Sequence, residues 1–454
     1  MNENYDVIVC GTGLKECILS GLLSMDGKKV LHIDRNPYYG GDCASVNIST
    51  IFKLFRNGQE PPPKYGHNRD WNVDLIPKFI MANGMLSKLL LYTKVYKYLD
   101  WKCLDASYVY QFRKGGFFSS DKGVVCKVPA NGSEALSSDL MGMFEKRRMK
   151  KLFEYCQKYD ENDKERMAKF NPKQKLALDL MKKYSLEEST IDFVGHAIAL
   201  YLEDSYLQKP AIDTVEKIRL YMNSHGLYGS SPFLYPIYGL GGIPEGFSRL
   251  CAIHGGTYML RVNADSMIFE NNLVKGIVSG PDKAFAPIVI CDPSYVQNIP
   301  NRLKKVGQVI RCICLMDHPI PETNNAQSIQ IIIPQKQINR KSDIYISMVS
   351  STHSVCPKGI YVVIISTTVE TANPETEIQI AFQLIGPTLE QFINIYDLYE
   401  PTQDGKSDGL FVTRSYDATS HFETTVEDVL ETYKRITGKT LDLTNIKIEE
   451  EENQ

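Results

Sequence analysis

Apolar positions follow two different periods along this chain. Residues 6–10 form a short β-branched run typical of a buried strand, residues 17–25 carry apolar side chains at helical spacing, and residues 29–34 form a second strand that ends in an acid. A glycine-rich segment at 11–16 lies between the first strand and the helix. This pattern predicts a Rossmann-type β-α-β unit over residues 5–34.

The period changes after residue 129. From residue 133 to about residue 223, apolar side chains recur every three or four positions, which predicts four helices and no strand. The fourth helix is expected to begin at Asp213, because Glu216 completes a capping box. Strand-like patterns occupy 107–127 and return after residue 243. We therefore predict an α/β fold, with a large domain at 1–128 and 230–454 and a smaller all-helical domain inserted at 129–229.

Composition excludes several classes of protein. The chain has 51 Lys and Arg against 54 Asp and Glu, a net charge of −3, so no broad cationic surface indicates a nucleic-acid partner. Its 11 cysteines are odd in number and include no CxxC pair, as expected for reduced thiols in the cytosol. The polar start is unlike a signal peptide, and no apolar run approaches the roughly 20 residues of a membrane span. We expect a cytosolic protein without a lipid anchor of its own.

The glycine turn is interpreted as a vestigial dinucleotide motif. Gly11 and Gly13 suit a tight turn beside a pyrophosphate, and Asp34 stands where a ribose-binding carboxylate belongs. Glu16, however, replaces the third glycine of the motif. We expect its side chain either to splay the helix from the strand or to turn outward, and to compete with a phosphate at the helix N-terminus. No FAD or other cofactor is predicted.

No catalytic constellation emerges from the remaining motifs. The GKS and GKT tripeptides at 405–407 and 438–440 lack the leading glycine of a phosphate-binding loop, and no GxSxG, HExxH or EF-hand pattern is present. The eight histidines are far apart in sequence, so only the fold would bring them together. We interpret them as core or surface residues and predict no metal site.

Two other regions are open to more than one interpretation. Tyr, Arg and Met residues among the glycines of 235–259 suit a protein interface, and a glycine-rich crossover between strands fits the composition equally well. A Met, Phe and Leu stripe at 133–157 is more typical of a helix face in a core than of a ligand pocket.

Motifs along the whole chain resemble those of the Rab GDP-dissociation inhibitors. They occur in order and at matching spacing: YDVIV at 5–9, GTGL at 11–14, DRNPYYGG at 34–41, RDWNVDLIPK at 69–78, LMGMFEKRR at 140–148, IDFVGHA at 191–197, YGLG at 238–241, ICDPSY at 290–295, NRKSDIY at 339–345, SYDAT at 415–419 and HFETT at 421–425. This coverage makes the resemblance far more specific than any single motif.

The resemblance implies a large domain like that of the FAD-linked oxidoreductases, without flavin catalysis, and a helical domain. It implies a non-enzymatic, monomeric protein that binds GDP-bound, geranylgeranylated Rab GTPases, inhibits release of GDP and carries these GTPases through the cytosol in vesicle-mediated transport. The isoprenyl lipid would be a second ligand, and contact with membranes would be transient.

The resemblance also implies roles for individual residues. The Rab-binding platform would consist of Tyr39, Arg69, Gly242, Glu245, Arg249, Thr257 and Met259. A mobile loop used in membrane recycling would span 227–232 and include Leu227, Tyr228 and Ser231. Candidate residues of the prenyl pocket are Leu140, Met143, Phe144, Leu152, Phe153 and Ile198.

Some positions depart from the family pattern. Gly242 stands where an acid is common, and His67 stands where a second basic residue usually precedes Arg69, so we expect partner selectivity to differ. The hairpin at 111–123 looks longer than usual. Two alternative functions are that of a Rab escort protein, a class that usually carries long insertions, and that of an FAD-dependent oxidase, which would be yellow.

Overall fold

The computed structural model describes residues 3–113, 122–129, 132–137, 141–443 and 446. Its strands are β1 (Val7–Cys10), β2 (Val30–Asp34), β3 (Ser45–Val46), β4 (Val73–Asp74), β5 (Ile80–Met81), β6 (Trp101–Cys103), β7 (Ala106–Arg113), β8 (Lys122–Lys127), β9 (Phe233–Pro236), β10 (Thr257–Leu260), β11 (Ser266–Glu270), β12 (Leu273–Ser279), β13 (Asp282–Phe285), β14 (Ile288–Cys291), β15 (Leu303–Met316), β16 (Ile329–Ile333), β17 (Ile344–Ser350), β18 (Tyr361–Thr368), β19 (Glu390–Pro401) and β20 (Leu410–Val412). Its α-helices are α1 (Leu14–Met25), α2 (Ile48–Phe55), α3 (Met85–Tyr92), α4 (Gly132–Ser137), α5 (Met143–Gln157), α6 (Lys164–Lys169), α7 (Ala177–Lys183), α8 (Glu188–Phe193), α9 (Ala211–Ser224), α10 (Gly242–Ile253), α11 (Pro374–Glu377), α12 (Gln379–Ile385) and α13 (Glu423–Thr437).

Five strands form a parallel sheet in the order β10-β2-β1-β14-β20. β1 and β2 are buried along their whole length, because both faces of a parallel sheet are covered. α1 joins them and is buried from Leu14 to Ser24. The predicted β-α-β unit is therefore confirmed. Its glycine turn lies at the carboxyl end of β1, the edge at which such sheets bind ligands.

A second sheet has seven strands in the order β19-β15-β18-β17-β16-β7-β8 and is antiparallel except between β16 and β7. The strands predicted at 107–127 are β7 and β8 of this sheet, with Tyr108 opposite Lys127 and Arg113 opposite Lys122. Residues 114–121, at the tip of the predicted long hairpin, lie outside the described residues.

Between β8 and β9 the described residues form helices and no strand, as predicted. The expected number of four was too low: the described parts of this segment hold α4–α9, a π-helical turn at Val194–Ile198 and a 3-10 turn at Asp204–Gln208. We retain the division into a large domain and an inserted helical domain at 129–229 as a proposal.

The predicted start of the last of these helices was wrong. α9 begins at Ala211, two residues before Asp213, and its N-cap is Pro210. The amides of Ala211 and Ile212 donate to the carbonyls of Lys175 and Pro172, respectively. These tertiary hydrogen bonds satisfy the first amides of the helix, so no side-chain cap is needed.

Among the described residues, no helix combines the length and the apolar character that a bilayer crossing requires.

Candidate functional site

The glycine turn after β1 is occupied by the protein's own side chains. Gly11 has a φ of +96°, which favours glycine. Thr12 donates from both its backbone N and its Oγ1 to Asp34 Oδ2, each at 2.6 Å. The carboxylate predicted to stand where a ribose would bind is thus buried and already hydrogen-bonded.

Glu16 turns inward, contrary to the predicted outward or splayed position. Its side chain is buried, and Oε1 accepts a hydrogen bond of 2.7 Å from Thr413 Oγ1, just beyond β20. Oε2 lies against Gly13, where a side chain on residue 13 would clash with it. Because residue 13 is glycine and Thr413 supplies a donor, the glutamate fits within the fold without displacing α1.

A dinucleotide does not fit this turn. Asp292 Oδ2 lies 2.5 Å from the position that a Cβ on residue 11 would take, so a second carboxylate covers the first glycine. Burial, then repulsion from Asp292, raises the pKa of Glu16, and burial raises the pKa of Asp292. A pyrophosphate would meet two carboxyl groups there, and the backbone N–H of Thr12 is already engaged by Asp34. A cavity of about 520 Å³ opens beside Asp292 and Thr413, and Asp42, Arg311 and Tyr416 are also among its lining residues.

We expect Glu16→Gln to stabilise the protein at alkaline pH and to have little effect at acidic pH. Because the pKa of Glu16 is raised in the folded state, that state keeps a proton that the unfolded chain releases. The free energy of unfolding therefore falls as pH rises from about 4.5 through the folded-state pKa. The neutral amide removes this loss, about 1–3 kcal/mol, and still accepts from Thr413.

Unfolding of both proteins in urea across this pH range measures the effect. Glu270→Gln, a change at an exposed glutamate on β11, is the control and should leave the pH profile of stability unchanged. Parallel profiles for the wild type and Glu16→Gln would contradict the argument.

α10 presents two of the predicted platform residues on one exposed face. Glu245 and Arg249 are four positions apart and both exposed. The Arg249 guanidinium lies over the Tyr98 ring, 4.4 Å from its centre. This stacking restricts the long side chain before any partner binds, which lowers the entropy cost of using it in an interface.

Three more platform candidates lie beside this helix. Thr257 is exposed and Met259 half-buried on β10, the edge strand that follows α10. Tyr39 is half-buried, and its ring centre lies 5.9 Å from that of Tyr258 on the same strand. Burial raises the pKa of Tyr39, and the Glu245 charge adds to this effect. These contacts gather residues far apart in sequence around α10 and β10.

The last two platform candidates are placed differently. Gly242 begins α10, and a Cβ there would lie 2.7 Å from Leu99 Cδ2. Glycine at this position therefore lets the Leu99 side chain pack against the start of α10, where an acidic side chain would clash with it. Arg69 lies in the turn Asn68–Asp70, and its side chain is 82 % exposed. Three residues after Arg69, the backbone carbonyl of Asn72 packs against Gly239, which lies just before α10.

The predicted mobile loop has an exposed and a buried part. Leu227 and Tyr228 are about half exposed, whereas Ser231 is buried and its carbonyl accepts from the Cys103 thiol at 3.2 Å. Tyr228 lines a cavity of about 330 Å³. Its other lining residues, mostly apolar, are Ile80, Ser87, Leu90, Leu91, Tyr96, Trp101, Cys103 and Leu234. Sequence reasoning missed this cavity, since its walls come from α3, β6 and β9 as well as the loop.

The prenyl-pocket candidates divide by burial. Leu152 and Phe153 lie on the buried face of α5, and Ile198 lies at the end of the π-helical turn; none of the three has exposed surface. Met143 and Phe144, in the first turn of α5, are 68 % and 73 % exposed. Leu140 lies outside the described residues. None of the five described candidates lines the cavities of about 330 and 520 Å³.

The model of the GDP dissociation inhibitor family matches residues 1–448. The chain belongs to this family. Rab GDP dissociation inhibitor beta from Rattus norvegicus is 50 % identical over 448 residues, which are 98 % of this chain and 98 % of that protein. The crystal structure of a Rab GDI from Plasmodium falciparum matches at 52 % identity with a TM-score of 0.94, over 97 % of this chain and 100 % of that one.

The likeness to oxidoreductases concerns the fold alone. An oxidoreductase from Methanosarcina mazei matches this GDP dissociation inhibitor family member with a TM-score of 0.60 at 16 % identity, over 96 % of this chain and 100 % of that one. The predicted fold class, α/β and like that of the FAD-linked oxidoreductases, is thereby confirmed. Membership of a regulatory family also confirms that the chain is not an enzyme.

Proposed function

We propose that this protein binds GDP-bound, geranylgeranylated Rab GTPases, inhibits release of their GDP and removes them from membranes. Its similarity to two Rab GDP dissociation inhibitors over nearly the whole chain carries the proposal. In this function the protein is a monomeric carrier in the cytosol, and its contact with membranes is transient.

The surface around α10 and β10 is the proposed Rab-binding platform. It offers an acid, a base and a tyrosine hydroxyl from Glu245, Arg249 and Tyr39, with Thr257 and Met259 at its edge. Arginine and tyrosine are enriched among the residues that contribute most to protein interfaces. Arg69, in the turn Asn68–Asp70, and Gly242, the first residue of α10, are further proposed members of this platform.

The exposed residues of α5 are the proposed contact for the lipid. A geranylgeranyl chain is held in a bilayer by roughly 10–16 kcal/mol, at about 0.8 kcal/mol per buried CH₂. A carrier must replace most of that burial with its own apolar surface. Met143 and Phe144 are large, apolar and uncovered, whereas Leu152, Phe153 and Ile198 are buried in the core. The loop residues Leu227 and Tyr228 offer further exposed apolar surface for an apolar segment of the partner.

No flavin takes part in this function. The space beside the glycine turn is occupied by the carboxyl groups of Asp292 and Glu16, and the donors of Thr12 are engaged by Asp34. The remaining dinucleotide motif serves to close the β-α-β turn.

The rate of GDP release from a prenylated Rab tests the proposal. Fluorescent GDP is loaded onto the Rab, excess unlabelled nucleotide is added, and release is followed with and without this protein. We expect release to slow as the protein approaches saturation, and to slow much less for the same Rab without its lipid, which lacks part of the binding energy. Release of GDP from the prenylated Rab at an unchanged rate would overturn the proposal.

A further inference from the structure

A buried histidine connects the helical segment to the seven-stranded sheet. His196 lies in the π-helical turn at Val194–Ile198 and is 1 % exposed. Its Nδ1 is 2.8 Å from Asp343 Oδ2, one residue before β17. The Asp343 carboxylate also accepts from the backbone N–H of Gln335 at 2.8 Å and from the Tyr345 hydroxyl at 3.3 Å, so it is the acceptor in each of these hydrogen bonds. Nδ1 therefore carries the proton, and this hydrogen bond orients the ring.

The other ring nitrogen faces two carboxylates. His196 Nε2 lies 3.7 Å from Asp192 Oδ1, four positions earlier on the same helical segment, and 3.5 Å from Asp204 Oδ1. Asp192 is 2 % exposed, and its Oδ1 has no hydrogen-bond partner. The three ligand atoms all lie within 4.8 Å of one another.

The second oxygen of each carboxylate is held by the 3-10 turn after β16. Asp204 Oδ2 accepts from Gln335 Nε2 and from Lys336 Nζ, both at 3.1 Å. Asp192 Oδ2 accepts from Gln337 Nε2 at 3.3 Å. These hydrogen bonds fix both carboxylates so that their remaining oxygens face Nε2.

The distances around Nε2 suit a shared ion better than a shared proton. A charge-assisted N–H···O bond is about 2.7–2.9 Å long, and neither carboxylate comes that close. Two ligand atoms of a tetrahedral Zn²⁺ lie roughly 3.3 Å apart, because each is about 2.0–2.1 Å from the ion. The separations of 3.5 and 3.7 Å are near that value.

The charges of the cluster also favour a dication. Three carboxyl groups, those of Asp192, Asp204 and Asp343, surround the ring, and Lys336 is the cation that the described residues place against them, at Asp204. The acidic groups therefore outnumber this cation, and Asp192 and Asp343 are buried. Burying such charge is costly unless it is paired or bound to metal.

We propose that Asp192, His196 and Asp204 form a binding site for a divalent ion of the zinc class. Imidazole and carboxylate ligands suit Zn²⁺, and a carboxylate behind a ligating histidine, as Asp343 is, recurs in such sites. A π-helical turn often marks a functional position, and here it contains the histidine. The bound ion would connect α8 to the two turns that follow it, next to Asp343, which immediately precedes β17.

The sequence contained a partial signal for this site. The D-x-x-x-H spacing of Asp192 and His196 places both on one helix face, with Asp204 eight residues further on. Only the tertiary structure adds Asp343, more than a hundred residues away, and shows that the carboxylate oxygen of Asp192 lacks a partner.

Zinc titration of the full-length, tag-free protein tests this proposal. After dialysis against a chelator, Zn²⁺ is added in competition with a chromophoric chelator, and binding by wild type is compared with Asp192→Asn, His196→Gln and Asp204→Asn. We expect one equivalent to bind to the wild type and each ligand variant to lose at least tenfold in affinity. Asp343→Asn should lose roughly tenfold, as outer carboxylates commonly do. Asp397→Asn, at a residue paired with Lys305 on another strand, is the matched control and should bind as wild type does.

A second measurement separates the site from the thiols and from misfolding. Co²⁺ bound by one nitrogen and oxygen ligands lacks the intense thiolate charge-transfer band that cysteine ligands produce. Asp204→Asn changes a partly exposed residue and provides a folded variant if the two buried changes unfold the chain. The proposal is overturned if the wild type binds no zinc at micromolar concentrations, or if folded Asp204→Asn binds with unchanged affinity.

Discussion

Phe144→Glu is expected to reduce extraction of a prenylated Rab from liposomes by about tenfold to a hundredfold. Phe144 is 73 % exposed in the first turn of α5, so replacing it should change the free energy of unfolding little. Covering a phenylalanine with a lipid chain is worth about 1.5–3 kcal/mol, and a carboxylate would have to be desolvated in its place. Met143→Glu, at the neighbouring residue, should also reduce extraction of the prenylated Rab.

Sedimentation of liposomes loaded with the prenylated Rab measures this effect. Leu54→Glu is the matched control, because Leu54 is a 54 % exposed apolar residue on α2, away from the helical segment. The inhibition of GDP release by saturating Phe144→Glu should remain largely intact, since that property is assigned to the platform. Extraction at the rate of the wild type would place the lipid contact elsewhere.

Arg249→Ala is expected to weaken binding of the GDP-bound Rab by about tenfold to a hundredfold. The loss of one charged interface anchor typically costs about 2 kcal/mol or somewhat more. Arg249 is exposed and already ordered over Tyr98, so its truncation removes a pre-arranged donor without disturbing the core. Arg249→Lys should recover only part of the affinity, because an ammonium lacks the planar guanidinium that stacks on the ring.

The affinity is measured by titrating fluorescent-GDP-loaded, prenylated Rab with each variant. Arg166→Ala, at an exposed arginine on α6 that belongs to neither proposed contact surface, provides the control for loss of a positive charge. Unlike Phe144→Glu, the Arg249→Ala variant should lose both inhibition of GDP release and extraction. An unchanged dissociation constant would remove Arg249 from the proposed platform.

Glu16 illustrates how far local patterns go in this protein. The spacing of the glycines identified the β-α-β turn, since that turn depends on backbone conformations within a few residues. The direction of the Glu16 side chain depends on Thr413, almost four hundred residues away, which no local rule includes. The same limit applies to α9, whose start is set by the carbonyls of Pro172 and Lys175.

The amphipathic stripe at 133–157 shows a related limit. Helical spacing predicted an apolar stripe, and its members Leu152 and Phe153 are buried, but the same spacing could not indicate that Met143 and Phe144 stay uncovered. Exposure at a helix end depends on which elements pack there. The cavity beside Tyr228 was equally hidden, because its walls combine residues between 80 and 103 with Tyr228 and Leu234, more than a hundred positions further along the chain.

Periodicity, glycine placement and the ordered motifs were therefore enough for the α/β class, the parallel β-α-β unit, the long helical segment and the family. These properties follow from residues that act on their near neighbours or recur in a known order. Contacts between distant segments alone revealed the inward Glu16, the Arg249–Tyr98 stack, the exposed start of α5 and the cluster around His196. The physical reason is that burial, charge and ligand geometry at one atom are set by every segment that surrounds it, and chain order does not record which segments those are.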